Sequence, residues 1–435
     1  MKGRLKSPEG IVECPSTCGQ LVKLIRRSPK LLKVLDAIAT SPAPIREQDI
    51  AEKSGVPRPV VHKYLKLLSR RKLMVCFAAR APHALGLGSF ITLVKGGPFT
   101  TSTLLKLHKL SSEEARSFNR RYVPNHHWLR SLCPAIPNTL ITYRYPIATG
   151  YEFLLDGFRK SGNGIKLLFY QNYTRVYISV HLLSDYWLGD RFADHLEALK
   201  IALENPSGYR PNAARDVRPI PRDVYDVVLF TAIGLNPLLT IQEFGRVLCR
   251  VNSATRCASK ARTHLKHLVE DGAVYGHIIL TPCTRYFLID GRESMCLRED
   301  HIVLGHVSRG SVWDLTDLVM RYLYNTMTAL NPEEGAVGLN LRGLSFKAAL
   351  EVIEFLEEHF GFETDLIIGW SPILARSYGT PFENFDPFKR EWVTDPDELE
   401  RVIAMPLWEP LRRFWEAVRL GDRHPLIPCR EGECG

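Results

Sequence analysis

The spacing of apolar positions divides the chain into two halves of similar plan. In the first, Leu31, Leu32, Leu35 and Ile38 recur at helical spacing, which predicts a helix over Pro29 to Ala39 that the prolines at 42 and 44 stop. A second short helix is predicted over Ile45 to Ser54, closed by Gly55, the residue type that most readily takes left-handed backbone after a helix end. Pro57 and Pro59 suit a first helical turn, where a missing N–H loses no partner, so a third helix is predicted from Arg58 to Arg71. Along it Val61, Leu65 and Leu68 share one face with Tyr64 beside them, while Arg58, His62, Lys63, Lys66 and Arg70 point elsewhere. Leu73 to Phe77 and Leu87 to Val94 are expected to pair as a hairpin.

The second half repeats the pattern, with helices predicted over Asp223 to Gly234, Ile241 to Leu248 and Ser253 to Glu270, then strands Ala273 to Leu280 and Arg285 to Ile289. At an offset of 200, Leu65, Lys66 and Leu68 match Leu265, Lys266 and Leu268, and Met74 matches Val274, which reads as a diverged duplication with a lengthened turn. Each three-helix unit runs on into mixed strand and helix. After the first come strands Phe90 to Lys95 and Leu140 to Tyr145, a helix Tyr151 to Lys160, and a hairpin of Ile165 to Tyr170 with Arg175 to Val180. After the second come a strand Ile302 to Val307, a helix Val312 to Met327, a strand Ala336 to Leu341, a helix Ser345 to Phe360 capped by Ser345, and a strand Asp365 to Trp370. Phe346, Ala349, Ile353, Leu356 and Phe360 are the expected buried stripe of that last helix.

The expected organisation is therefore an α+β multidomain protein: an extension (1–27), a first winged three-helix unit (28–89), an α/β domain of ferredoxin type (90–204), a proline-rich linker (205–221), a second winged unit (222–291), a second α/β domain (292–370) and a tail (371–435) that wraps another domain.

Charge adds a location to this pattern. Residues 1 to 80 hold 17 Lys/Arg against 6 Asp/Glu, a net +11, while the chain as a whole is +10. One basic segment on a neutral body points to a polyanionic partner. No apolar run is long enough to span a bilayer, and the first ten residues lack a secretory apolar stretch, so a cytoplasmic protein is expected. Cys76, Cys133, Cys249, Cys257, Cys283 and Cys296 read as small core hydrophobes.

From Arg46 to Val75 the chain resembles the winged helix-turn-helix of prokaryotic transcription regulators, especially archaeal regulators of the Lrp/AsnC and TrmB kinds. The matching features are Ile50-Ala51, the turn Ser54-Gly55-Val56, the core positions Val61, Leu65 and Leu68, and Leu73 to Val75. The resemblance implies duplex DNA as partner, with a helix in the major groove braced by its neighbour. It places Arg58, Pro59, Val60, His62 and Lys63 at base edges, with Arg58 the best guanine reader, and Lys66, Arg70, Arg71, Lys72 and the wing residue Arg80 at phosphates. In the second unit Arg246, Arg250, Arg256, Lys260, Arg262 and Lys266 lie in a stretch, Phe244 to Val269, that has no acidic residue. The sites expected there are Arg250, Arg256, Lys260, Arg262 and Lys266, with a dimerisation or structural role as the alternative.

Chemistry is sparse elsewhere. Cys14, Cys18, Cys429 and Cys434 offer four thiolates for zinc if the termini meet, at spacings unlike the usual knuckle. His126-His127 reads as a loop pair, and Gly86, Gly88, Gly162 and Gly164 as turn glycines without a phosphate-loop fingerprint. No nucleophile and base pair stands out, so neither an enzyme nor a cofactor is expected. A regulator is the leading function, with a small-molecule effector in the α/β domains and a homodimer as accompanying expectations. A nucleic-acid processing protein and a protein-binding scaffold are the alternatives.

Overall fold

The computed structural model describes residues 24, 27–42, 46–70, 75–97, 112–135, 138–180, 199, 223–235, 239–251, 257–280, 286–289, 292–295, 300–322, 327–342, 346–370, 376–377 and 380–413. The terminal cysteines, Arg71, Lys72, Arg256, Ser345, Cys283, Cys296 and the whole of the linker lie outside the described residues.

The amphipathic stripes fold as read. Helices α1 (Pro29–Ala39), α2 (Glu47–Ser54) and α3 (Arg58–Arg70) pack Leu31, Leu35, Ile38, Ile50, Val56, Val61 and Leu68 into one core. In the second half, α6 (Val224–Leu235), α7 (Ile241–Val251) and α8 (Cys257–Glu270) do the same with Val227, Phe230, Phe244, Leu248, Ala261, Leu265 and Leu268. The α6 helix is apolar all round and is buried on all sides, as such a helix must be.

Between these units lie two antiparallel sheets built alike. The first takes β2 (Leu87–Gly96), α4 (Ser112–Tyr122), β3 (Leu129–Ala135), β4 (Asn138–Pro146), α5 (Glu152–Lys160) and β5 (Ile165–Tyr173). The second follows a two-stranded pair, β8 (Tyr286–Ile289) with β9 (Arg292–Met295), and takes β10 (Asp300–His306), α9 (Val312–Tyr322), β11 (Met327–Asn331), β12 (Ala336–Arg342), α10 (Phe346–Phe360) and β13 (Glu363–Trp370). In each the four strands lie in the order second, third, first, fourth. One face of each sheet is covered by its helices, through Phe90, Tyr143, Leu154 and Phe158 in the first and Val303, Leu339, Val352 and Leu356 in the second. The other faces meet each other through Ile91, Leu93 and Leu140 against Ile302, Leu304, Ala329 and Ile368. Each sheet also borrows an edge strand from beyond its own span. β6 (Arg175–Ile178) pairs with β11, and β14 (Arg376–Ser377) pairs with β3.

Several expectations are corrected. β1 (Val75–Arg80) does not form a hairpin with β2. It pairs with β7 (Val274–Leu280) of the other half, Val75 opposite Leu280 and Arg80 opposite Val274. An apolar strand leaves a row of unpaired backbone groups at its edge, and here the two such strands satisfy each other. Likewise β5 and β6 are not a hairpin but belong to different sheets. The Val312 helix ends at Tyr322 and Met327 opens a strand, while Phe346 is exposed and Ala349, Ile353 and Leu356 form the buried stripe. Cys249 is not a core residue: it is disulfide-bonded to Cys257 across the α7–α8 turn, whereas Cys133 is buried as expected. Gly88 is no turn glycine; it lies in β2, where the Tyr145 ring occupies the space a side chain would need. The tail does pack on other parts of the chain: Trp408, Phe382 and Phe385 join the α6–α8 core, and the Trp392 indole N–H donates to the Leu85 carbonyl at 2.7 Å.

Candidate nucleic-acid interface

The turn that sets α3 against α2 is built from three local features. Gly55 takes φ +64°, the left-handed conformation that ends α2 without a Cβ penalty. Val56 is buried and anchors the turn. The Pro57 carbonyl then accepts from the Val60 and Val61 N–H groups at 2.8 and 3.1 Å, opening α3. The Lys53 ammonium donates to the Thr40 carbonyl at 2.6 Å, and Ser28 and Tyr64 hydroxyls hydrogen-bond, so both ends of α1 are tied to the other helices.

With Val61 and Leu68 buried and Tyr64, Leu65 and Val60 half-buried against the same core, the opposite face of α3 is left to Arg58, Pro59, His62, Lys63 and Lys66, all exposed. Two of these are held at the helix start by one carboxylate. Glu47, at the start of α2, lies 2.8 Å from His62 Nδ1 and 3.6 Å from Arg58 Nε. Exposed pairs of this kind contribute about 0.2–1 kcal/mol each, so their effect is orientation more than stability.

The structure separates the expected site residues. Arg58, Pro59, His62, Lys63 and Lys66 form one continuous exposed face, while Val60 leans on the core. Arg80 leaves the interface altogether. Its guanidinium donates to the Phe230 carbonyl at 2.8 Å and stacks 4.8 Å from the Phe230 ring, and burial, with the Arg130 charge second, lowers it to about 10. The cause is the β1–β7 pairing, which turns the expected wing residue toward α6. Arg70 ends α3, with its side chain outside what is described.

On α8, Arg262 and Lys266 are exposed, Lys266 lying 3.5 Å from Glu270. Lys260 is half-buried, its ammonium 5.0 Å from the Tyr225 ring, and is thereby engaged within the unit. Arg250 lies on α7 with its side chain outside what is described. A metal-ligand grouping that the sequence reading missed sits on the same unit: Asp226, His264 and His267, with ligand atoms within 4.8 Å of one another. Its signal was two histidines at i and i+3 on one helix face. Asp226 accepts from His264 Nδ1 at 3.0 Å and raises the imidazole above its ordinary range. His126 and His127 are half-buried, and burial lowers them to about 3 and about 4. No helix among the described residues is long and apolar enough to cross a membrane.

Comparison with known proteins gives three findings. The IclR helix-turn-helix domain matches residues 30–74, so the kind matched is the IclR one and not the Lrp/AsnC or TrmB kinds named from sequence. No curated protein matches the chain. Two solved structures of the siroheme decarboxylase NirDL, one in co-complex with an iron-uroporphyrin III analogue, match at 11% identity over 89% and 91% of this chain and 99% and 100% of theirs, with TM-scores of 0.41 and 0.40. The expectation that the chain is not an enzyme is overturned on this point and is withdrawn, since both matches bear an enzyme's name. A likeness at that TM-score transfers neither a reaction nor a substrate. Residues 30–74, the span of α1, α2 and α3, are similar to the IclR helix-turn-helix domain.

Proposed function

We propose that this protein regulates transcription by binding duplex DNA in a sequence-specific way, with α3 seated in the major groove. The observation that carries this reading is the two-sided character of α3: Val61 and Leu68 buried, and Arg58, Pro59, His62, Lys63 and Lys66 together on the exposed side. A helix fits the major groove, where Arg can grip a guanine edge with two hydrogen bonds and Lys can meet phosphates. Arg80 is removed from the contact set, so α3 and its flanks act without a wing contact from that residue.

The repeated order of elements supports the finer reading that the two halves are a duplication, with α8 as a second reading helix contributing Arg262 and Lys266. One chain then presents two reading heads to successive major grooves about one turn apart. Selection of bound sequences from a random duplex pool tests the regulator reading, and enrichment of no motif rejects it. Footprinting tests the second head, and a single protected groove rejects that part alone.

A further inference from the structure

The cluster of Asp226, His264 and His267 stands on two helices whose relative position is fixed by packing. Asp223 stands just before α6, and its Oδ1 accepts from the Tyr225 and Asp226 N–H groups at 2.8 and 3.1 Å. That cap sets Asp226 in the first turn of α6, where it is buried. On α8 the stripe of Ala261, Leu265 and Leu268 lies in the same core as Val227 and Phe230 of α6. The neighbouring face of α8 carries His264, half-buried, and His267, exposed. The two backbones are thus held in place by apolar contacts that no ligand has to supply.

One ligand atom from each of the three side chains lies within 4.8 Å of the other two. Around a tetrahedral ion with bonds of about 2.0–2.2 Å, neighbouring ligand atoms sit roughly 3.4 Å apart, so small side-chain rotations close the cluster, and the exposed His267 ring is free to make them. The Asp226–His264 edge is already near that spacing: in the metal-free chain His264 Nδ1 donates to Asp226 Oδ1 at 3.0 Å. An ion entering there replaces the shared proton, and the ring carries its proton on Nε2 instead. A fourth oxygen is at hand, since Asp223 Oδ1 lies 3.6 Å from His264 Nδ1. Two carboxylates therefore face the cluster against the Lys260 ammonium, which is turned onto Tyr225, 3.4 Å from its hydroxyl. Two imidazoles with carboxylate oxygens are a donor set suited to zinc and its first-row neighbours, and unlike the all-oxygen sets of magnesium or calcium.

We propose that Asp226, His264 and His267 bind one divalent first-row transition ion, with Asp223 placed to close the fourth position, and that the ion clamps the start of α6 to α8. The site does not depend on DNA binding, because none of its residues lies on α3. The test uses the full chain without a purification tag and without DNA, stripped with a chelator and titrated calorimetrically with zinc. One zinc per chain is expected, with slower hydrogen exchange over residues 223–235 and 257–270 and unchanged exchange over residues 29–68. Cobalt(II) is the second probe. Nitrogen and oxygen ligands give it visible bands without the intense thiolate charge-transfer absorption that a site on Cys14, Cys18, Cys429 and Cys434 would add.

His267→Ala removes an exposed ring, so the metal-free variant unfolds as the parent does, while its zinc affinity falls by more than the roughly 10–100-fold that loss of an outer-shell partner costs. Asp226→Asn keeps the side chain's shape and lowers zinc affinity in the same way. Should Asp226→Asn unsettle the buried pair, His267→Ala decides alone. The proposal is overturned if the parent takes up no zinc, if His267→Ala binds zinc as the parent does, or if the cobalt spectrum is that of a thiolate site.

Discussion

The α1–α3 and α6–α8 units share a plan and differ in what surrounds it. In the first, the core is made by the three helices with few outside contributions, and the free face of α3 keeps its cations in the open. In the second, the core is shared with the tail residues Phe382, Phe385, Trp408 and Leu411, the α7–α8 turn is closed by the Cys249–Cys257 disulfide, and Lys260 and Lys266 are engaged within the unit. The difference teaches that one plan can leave different amounts of charge on the solvent side of its third helix. On α3, Arg58 and His62 share Glu47 while Lys63 and Lys66 are exposed; on α8, Arg262 is exposed while Lys266 lies 3.5 Å from Glu270 and Lys260 is half-buried against Tyr225.

The largest expected effect concerns the tail. Trp408 is fully buried, donates its indole N–H to the Val402 carbonyl at 3.1 Å and packs edge-on to Phe382. Trp408→Ala costs about 3–5 kcal/mol. If the tail supports the second unit alone, hydrogen exchange speeds up over residues 223–280 in this variant while residues 29–68 keep their protection. Equal loss in both units breaks the contrast.

Next comes charge reversal, which addresses the contrast on its functional side. Lys63→Glu with Lys66→Glu on α3 lowers duplex affinity about a hundredfold or more at low salt and reduces the slope of log affinity against log salt by about 2. The matching pair on α8, Arg262→Glu with Lys266→Glu, costs less than about tenfold, since Lys266 is already shared with Glu270. Fluorescence anisotropy over a salt series measures both. Equal losses would make α8 a full reading head and erase the distinction.

How much of this was legible beforehand depended on range. The α1, α3 and α7 stripes could be read because burial on one side of a helix writes a local period into the sequence. β3 was missed because Leu129–Ala135 contains a proline and no clean alternation, and α4 because Ser112–Tyr122 is polar nearly all round. The β1–β7 pairing could not be read, since an apolar strand records that it needs a partner but not which one; the nearest strand was chosen and Arg80 was misplaced as a result. Arg144 left a faint mark, a lone cation between Tyr143 and Tyr145 in a strand buried on both faces.

Glycines sharpen the comparison at smaller cost. Gly245 on α7 has no room for a side chain, because an added Cβ meets the α8 backbone at Ala258 Cα, 2.8 Å away. Gly245→Ala therefore forces the two helices apart and costs about 2–3 kcal/mol. Gly55, at the C-terminal end of α2 and not within a helix, is set by a different logic: nothing lies within 4 Å, and only its left-handed backbone resists substitution. Gly55→Ala costs about 1–2 kcal/mol. Chemical denaturation separates the two, and a reversed order would mean that the α7–α8 packing gives way more easily than the turn after α2.

The comparison can also be sharpened by a pH profile whose two flanks belong to different histidines. His264 is raised by its hydrogen bond to Asp226, so its contribution is fully present below the unfolded value near 6.5 and is lost as pH rises through the folded one. His277, buried between β7 and the first unit with Nδ1 donating to the Ser41 carbonyl at 2.6 Å, is lowered by burial to about 4. A histidine held neutral in the fold takes up its proton more readily when unfolded, so stability falls as pH drops from about 6.5 toward 4, at a slope approaching 1.4 kcal/mol per pH unit for one proton. His83, His126 and His127 act in the same direction, which makes the acid flank the steeper. Denaturation midpoints measured from pH 5 to pH 8 should peak near pH 6.5. His264→Gln flattens the alkaline side alone, and His277→Gln removes about one proton's share of the acid slope. An acid flank unchanged in His277→Gln would mean that the contact between β7 and the first unit opens before the rest of the fold, leaving that imidazole free to titrate in the native state.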